Sequence, residues 1–212
     1  MSQPSRLMVL ASSSIIQDID GMRKSGLASI AFFYCDFREH PKKDLRGLVS
    51  SLLVQLCDQS DSYSDILSDL YLEHRNGSRQ PNDGVLVECL KKILKVQGQA
   101  PVFLIIDALD ECPITTSLPS PRDNVLTFVE DLINIDVSTL HICVTSRPET
   151  DIKAVFGPMA FHTISLHDEI GQMQDIAEYI KSVVTTDRMM RRWNAADRQL
   201  VIDELTNKAD GM

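Results

Sequence analysis

Apolar positions along the chain fall into two recurring patterns. Short, nearly unbroken apolar runs occur at Ala28–Cys35 (ASIAFFYC), Val102–Ile106 (VFLII) and Leu140–Thr145 (LHICVT), with a further strand-like run at Phe161–Leu166 (FHTISL). Continuous apolar runs of this length predict strands of a parallel sheet covered on both faces. Between them the apolar residues recur at helical spacing. Leu45, Leu48, Val49, Leu52, Leu53 and Leu56 predict a helix from about Lys42 to Gln59, and Leu86, Leu90, Ile93 and Leu94 predict another over Asp83–Val96. Val125, Phe128, Val129, Leu132 and Ile133 carry a third, Asn124–Ile135. Two more are expected at Glu169–Val184 and Ala195–Ala209, and the N-terminal region reads as an acidic helix-like run. Strands alternating with helices mean an α/β fold with a mostly parallel sheet.

Turn residues agree with this division. Gly98 follows a helix and Pro101 opens a strand, while Asn76–Asn82 and Pro113–Pro121 are polar, Gly- or Pro-containing loops. There is no internal repeat. Residues 1–168 form the α/β core in this reading, and residues 169–212, helical throughout, begin a lid or helical extension.

Composition narrows the class of partner. With 21 Lys+Arg against 30 Asp+Glu the net charge is −9, the wrong sign for a general nucleic-acid or anionic-membrane binder. No apolar stretch approaches the roughly 20 residues of a membrane helix, and the N-terminus lacks a signal-peptide cleavage pattern. The five cysteines form no CxxC and no zinc-type pairing, so they are expected to be reduced core thiols of a cytoplasmic protein. The five histidines make no HExxH, and there is no GxSxG nucleophile turn. Arg188–Trp193 (RMMRRW) is expected to be a solvated helix end or linker, and Asp36–Asp44 a charged loop.

Chemistry concentrates at two strand ends. In FLIIDALDEC the strand runs into Asp107, followed by Asp110 and Glu111. A carboxylate there stands at the carboxyl edge of the sheet, where open α/β folds bind ligands. Such an Asp suits Mg²⁺, and a following acid suits the orientation of water. In LHICVTSRPE, Thr145, Ser146 and Arg147 lie just past the next strand, at the same edge if the strands are parallel. An Arg there suits a terminal phosphate.

Together FYCDFREHPKKDLRGLVSSLLVQL, FLIIDALDEC and LHICVTSRPE resemble the NACHT-type P-loop NTPases, in the nephrocystin-3-like N-terminal branch found in fungal STAND-type signalling proteins. The resemblance covers about Val9 to Met212 and implies a three-layer P-loop NTPase-like fold. In it FLIIDALDE is the Walker B strand and TSRPE the sensor-1 strand end. It implies Mg²⁺ coordination by Asp107, water activation by Asp110 or Glu111, and γ-phosphate sensing by Arg147. It also implies a nucleotide-controlled switch that self-associates and works with other domains or proteins of a signalling assembly.

The chain departs from that family at its start. The family has a GxxxxGK[ST] loop before the helix matching VLASSSIIQDI, and here Leu7 stands at the Lys position and Met8 at the Ser/Thr position. The backbone cradle, the phosphate-binding Lys and the Mg²⁺-binding hydroxyl are therefore missing from this stretch. The preceding strand is missing as well. Either Phe161–Leu166 pairs directly with Leu140–Thr145, or Arg6–Ala11 becomes a substitute strand, or the chain is a truncated product that folds poorly. Both ends read as cut relative to a complete switch module. The expectation is a degenerate NACHT-like domain, with no cofactor of its own and little or no hydrolysis, acting through interaction. The alternatives are an ATP- and Mg²⁺-dependent switch whose P-loop lies upstream, and an unrelated α/β binding domain.

Overall fold

A computed structural model describes residues 6–36, 38, 39, 43–116, 118–159, 162 and 170–209. They form two compact units, Met1–Ala160 and Phe161–Met212.

The first unit is built on three parallel strands: β1 (Ser29–Tyr34), β2 (Val102–Asp107) and β3 (Leu140–Val144), in the order β1-β2-β3. Ser29 pairs with Val102 and Tyr34 with Asp107, while Val102 pairs with Leu140 and Ile106 with Val144. Parallel neighbours require crossover connections. The first is supplied by α2 (Leu45–Cys57), α3 (Asp61–Glu73) and α4 (Asp83–Leu94), the second by α5 (Pro121–Ile133). Helices α1 (Arg6–Lys24) and α6 (Thr150–Phe156) flank them. The expected α/β architecture is present.

The two-residue period of a strand divides the sheet between two cores. Ala31, Phe33, Leu104 and Ile106 join the larger core with Leu48, Leu52, Leu90, Ile93, Val125 and Val129 from α2, α4 and α5. Ile30 and Ile105 join the other with Ile19 of α1, flanked by Phe32, Phe103, Cys143 and Ile16. Burial on both faces accounts for the unbroken apolar runs of β1 and β2, whereas β3, expected to be covered in the same way, is only partly buried, with His141 exposed.

Helix α1 corrects one expectation. The substitute strand at Arg6–Ala11 does not form, because Arg6–Ala11 is the start of α1. Ser12, Ile16 and Ile19 recur at helical spacing, and the helix they define covers the second face of the sheet. The other possibility, pairing by Phe161–Leu166, falls outside the described residues apart from His162.

Boundaries move by a few residues elsewhere. Helix α5 begins at Pro121 because Ser120 and Asp123 close a capping box, the Ser120 hydroxyl accepting from Asp123 N and the Asp123 carboxylate from Ser120 N. That bond and the Ser120 side chain hold the Asp123 carboxyl below the usual carboxylate range. Helix α3 has no counterpart in the sequence reading, although Tyr63, Ile66, Leu67 and Leu70 carry the amphipathic spacing and pack on the core. Its polar residues, DSYSD, mask that signal. Helix α6 is too short for one, with Ile152 its buried residue.

The free edge of β1 is closed by side chains. Gln55, in the last turn of α2, and Gln59, two residues past its end, bond to β1 as a neighbouring strand would. Ile30 N donates to Gln59 Oε1 (3.0 Å) and Ile30 O accepts from Gln59 Nε2 (2.6 Å). Phe32 N donates to Gln55 Oε1 (3.1 Å) and Phe32 O accepts from Gln55 Nε2 (2.8 Å). Each amide satisfies one N–H and one C=O of an edge that would otherwise template aggregation. Gln55→Leu is expected to cost about 1 kcal/mol, since it strands a partly buried donor and acceptor. Amide exchange at Phe32 should accelerate in the variant, and unchanged protection there would contradict this account.

The second unit contains α7 (Ile170–Thr186), a 3-10 turn at Met190–Arg192 and α8 (Ala195–Ala209). Arg188–Trp193 is exposed or nearly so, and Arg191 Nε donates to Thr185 O at 3.2 Å. Asn194 caps α8 by accepting from Asp197 N at 2.8 Å.

Candidate functional site

Parallel register brings the two strand-end motifs to one edge of the sheet. Asp107 is the last residue of β2, and Thr145 follows the last residue of β3. The ladder continues one step further: Cys35 N donates to Asp107 O (3.0 Å), and Thr145 N to Ile106 O (2.9 Å).

The chain then leaves β2 through a strained residue. Ala108 adopts the left-handed conformation, φ 54° and ψ 48°, which disfavours a side chain with a Cβ. Thr145 holds it there. Ala108 N donates to Thr145 Oγ1 (3.0 Å) and Leu109 N to Thr145 O (2.9 Å). The bend starts the 3-10 turn Leu109–Glu111, whose Leu109 is buried in the core. The turn thereby presents Asp110 toward the β3 end.

Asp107 is 2% exposed, and its Oδ1 accepts two hydroxyl protons. Ser12 Oγ donates from α1 at 2.5 Å, and Thr145 Oγ1 from the β3 end at 2.5 Å. The carboxylate so links three segments distant in sequence, and short O–H···O⁻ bonds of this type are strong.

Asp110 and Arg147 meet directly. Arg147 N donates to Asp110 Oδ1 at 3.0 Å, and Arg147 Nε lies 3.4 Å from Asp110 Oδ2. The Asp110 side chain is 8% exposed and that of Arg147 38%. Glu111 is half-buried on the same turn and, among the described residues, enters none of these contacts. Of the four residues predicted for the site, three are thus joined in two neighbouring hydrogen-bonded groups, and Glu111 stands beside them. Leu7 and Met8 lie in the first turn of α1.

Arg122, on the first turn of α5, is buried (6% exposed) behind the same turn. Its Nε donates to Cys112 O (2.9 Å), one terminal nitrogen donates to Asp110 O, and the other lies 3.3 Å from Asp151 Oδ2 on α6. The sequence reading missed Arg122 and Ser12. Both left a signal. A cation in the first turn of a helix opposes the dipole, so Arg122 needed a specific partner, and Ser12 is a polar residue at an inward position of α1.

The thiols also gather here. Cys35 and Cys112 hydrogen-bond through their sulfurs at 3.4 Å, and all five cysteines are free. The hydrogen bond shared with Cys35, assisted by the Arg122 charge, holds the Cys112 thiol below its usual range, while the same contact and burial push Cys35 up.

These oxygens do not by themselves make a Mg²⁺ site. Both hydroxyls beside Asp107 are turned into it as donors, Asp110 is engaged by Arg147, and no group of three His, Cys, Asp or Glu side chains able to hold a metal occurs among the described residues. The arrangement is one in which the acids and their partners hold each other and fix two strand-end loops. No helix of the described residues is long and apolar enough to cross a membrane.

No curated protein and no solved structure matches the chain. The family described as nephrocystin 3, N-terminal, matches residues 9–147, a span that takes in most of α1, all three strands and the strand-end residues Asp107, Asp110, Glu111 and Arg147. With the parallel sheet and its acidic edge in place, the chain belongs to the nephrocystin 3 N-terminal family, a NACHT-like family.

Proposed function

We propose that this chain is a degenerate NACHT-like signalling domain, of STAND type, that acts as an interaction or regulatory module with little or no nucleotide hydrolysis. The observation that carries the reading is the mutual engagement of the candidate catalytic groups. Asp107, the Walker B aspartate by resemblance, is held by Ser12 and Thr145, and Asp110 is held by Arg147. By resemblance, Leu7 and Met8 stand where the family has the Lys and Ser/Thr that grip phosphate and Mg²⁺. Polar groups that catalysis would need to aim at a ligand instead serve the fold.

Its partners are then other domains or proteins of a cytoplasmic signalling assembly, including further copies of itself, rather than nucleic acid or membrane. A second reading has one observation in its favour, the convergence of Asp107, Asp110 and Arg147 at one sheet edge. That convergence suits an ATP-dependent switch completed by a P-loop on a longer chain, where Asp107 would hold Mg²⁺, Asp110 or Glu111 would orient water and Arg147 would meet the terminal phosphate.

Thermal unfolding with Mg²⁺-ATP or Mg²⁺-ADP separates the two. A ligand at 100 times its Kd stabilises the native state by about 2.7 kcal/mol. The midpoint is expected to stay unchanged in millimolar nucleotide. A dose-dependent rise that Arg147→Ala abolishes would establish the switch instead.

A further inference from the structure

Cys35 and Cys112 are 77 residues apart in sequence, yet their sulfurs touch at 3.4 Å, and the two residues are 4% and 1% exposed. Both backbones are pinned. Cys35 N is bonded to Asp107 O, Cys112 N to Leu109 O (3.1 Å), and Cys112 O to Arg122 Nε. Cys35 ends the FYC strand motif, and Cys112 ends the LDEC motif. A disulfide has its sulfurs about 2.05 Å apart, so from 3.4 Å a closure of roughly 1.4 Å is required, within reach of side-chain rotation. Two of the other thiols are placed differently. Cys57 Sγ donates to Tyr63 O at 3.3 Å, and Cys143 packs against the core on the opposite face of the sheet.

We propose that Cys35 and Cys112 form a dithiol site which a hydroperoxide converts to a disulfide, tying the end of β1 to the turn that carries Asp110 and Glu111. One thiolate attacks the peroxide, its S–O bond forming as the O–O bond breaks and an alcohol or water leaves. The second thiol then attacks that sulfenic sulfur, forming the S–S bond and releasing water. Two thiols lose two electrons and two hydrogens, and the peroxide gains them. Because the site is buried, the first step follows opening of the 109–111 turn and is faster in low urea. The inference does not rest on the nucleotide question, since neither reading gives Cys35 or Cys112 a role in it.

The test is peptide mapping of the folded chain after hydrogen peroxide and then alkylation. The expected product is one cross-linked pair, Cys35 with Cys112, reversed by dithiothreitol, with Cys57, Cys89 and Cys143 alkylated. In Cys35→Ser the pair is lost and a sulfenic-acid probe labels Cys112. The chain oxidised in high urea serves as reference and should give mixed pairs. Peroxide-treated folded chain with no Cys35–Cys112 pair, or with the same mixture as unfolded chain, overturns the proposal.

Discussion

Arg122→Ala is expected to lower the unfolding free energy by about 3 kcal/mol, the largest effect among the site residues. The reason lies in what the guanidinium leaves behind. Two of its nitrogens donate to the carbonyls of Cys112 and Asp110, at the back of a turn whose other partners are already committed. Each buried acceptor left without a donor costs about 1–3 kcal/mol, and the lost stem adds a packing deficit. The contact with Asp151 contributes little, because that carboxylate is 37% exposed and solvent screens it. Two controls follow. Arg122→Met keeps the stem and should recover only the packing part, whereas Asp151→Asn should cost a few tenths of a kcal/mol by the same solvent argument. Urea unfolding measures all three. If Asp151→Asn proved as costly as Arg122→Ala, the ion pair and not the carbonyl pair would be the source.

Asp107→Ala is expected to cost about 2 kcal/mol, as the loss of two charge-assisted bonds outweighs the relief of unburying a carboxylate. The informative comparison is Asp107→Asn. Both hydroxyls donate to the same oxygen, Oδ1, and an amide oxygen has two lone pairs to receive them. Asn should therefore restore at least half of the lost stability. A residue kept for Mg²⁺ would show the reverse pattern, with Asn and Ala equally unable to support nucleotide binding and stability unaffected by either. Chemical denaturation of the two variants, alone and in Mg²⁺-ATP, distinguishes the roles.

The element pattern was legible because burial is local in its consequences. The apolar runs at 102–106 and 140–145 read as strands, and the helical spacing at 45–56 read as a helix, since each reports a face turned from water, although β3 is only partly buried. Asp107 and Arg147 were legible for a related reason: a charge directly after a buried strand has few places to go except the sheet edge. Helix α3 was obscured by its serines and aspartates, although its apolar spacing was present. Arg122 could be read as needing a partner, but which groups it, Gln55 and Gln59 would meet was not readable. Their bonds join residues 10 to 29 positions apart, and no periodicity encodes which carbonyl a long polar side chain will meet.

By itself, then, the sequence determined the α/β class, three strands, most helices, the family and the acidic edge, since these depend on local patterning and on motifs. Only the tertiary structure decided that residues 6–11 are helix, that Ser12 and Thr145 share one oxygen of Asp107, that Asp110 is held by Arg147, and that Cys35 faces Cys112. Each of those facts depends on the register of parallel strands and on how a helix settles across them, which only packing of the whole sheet can set.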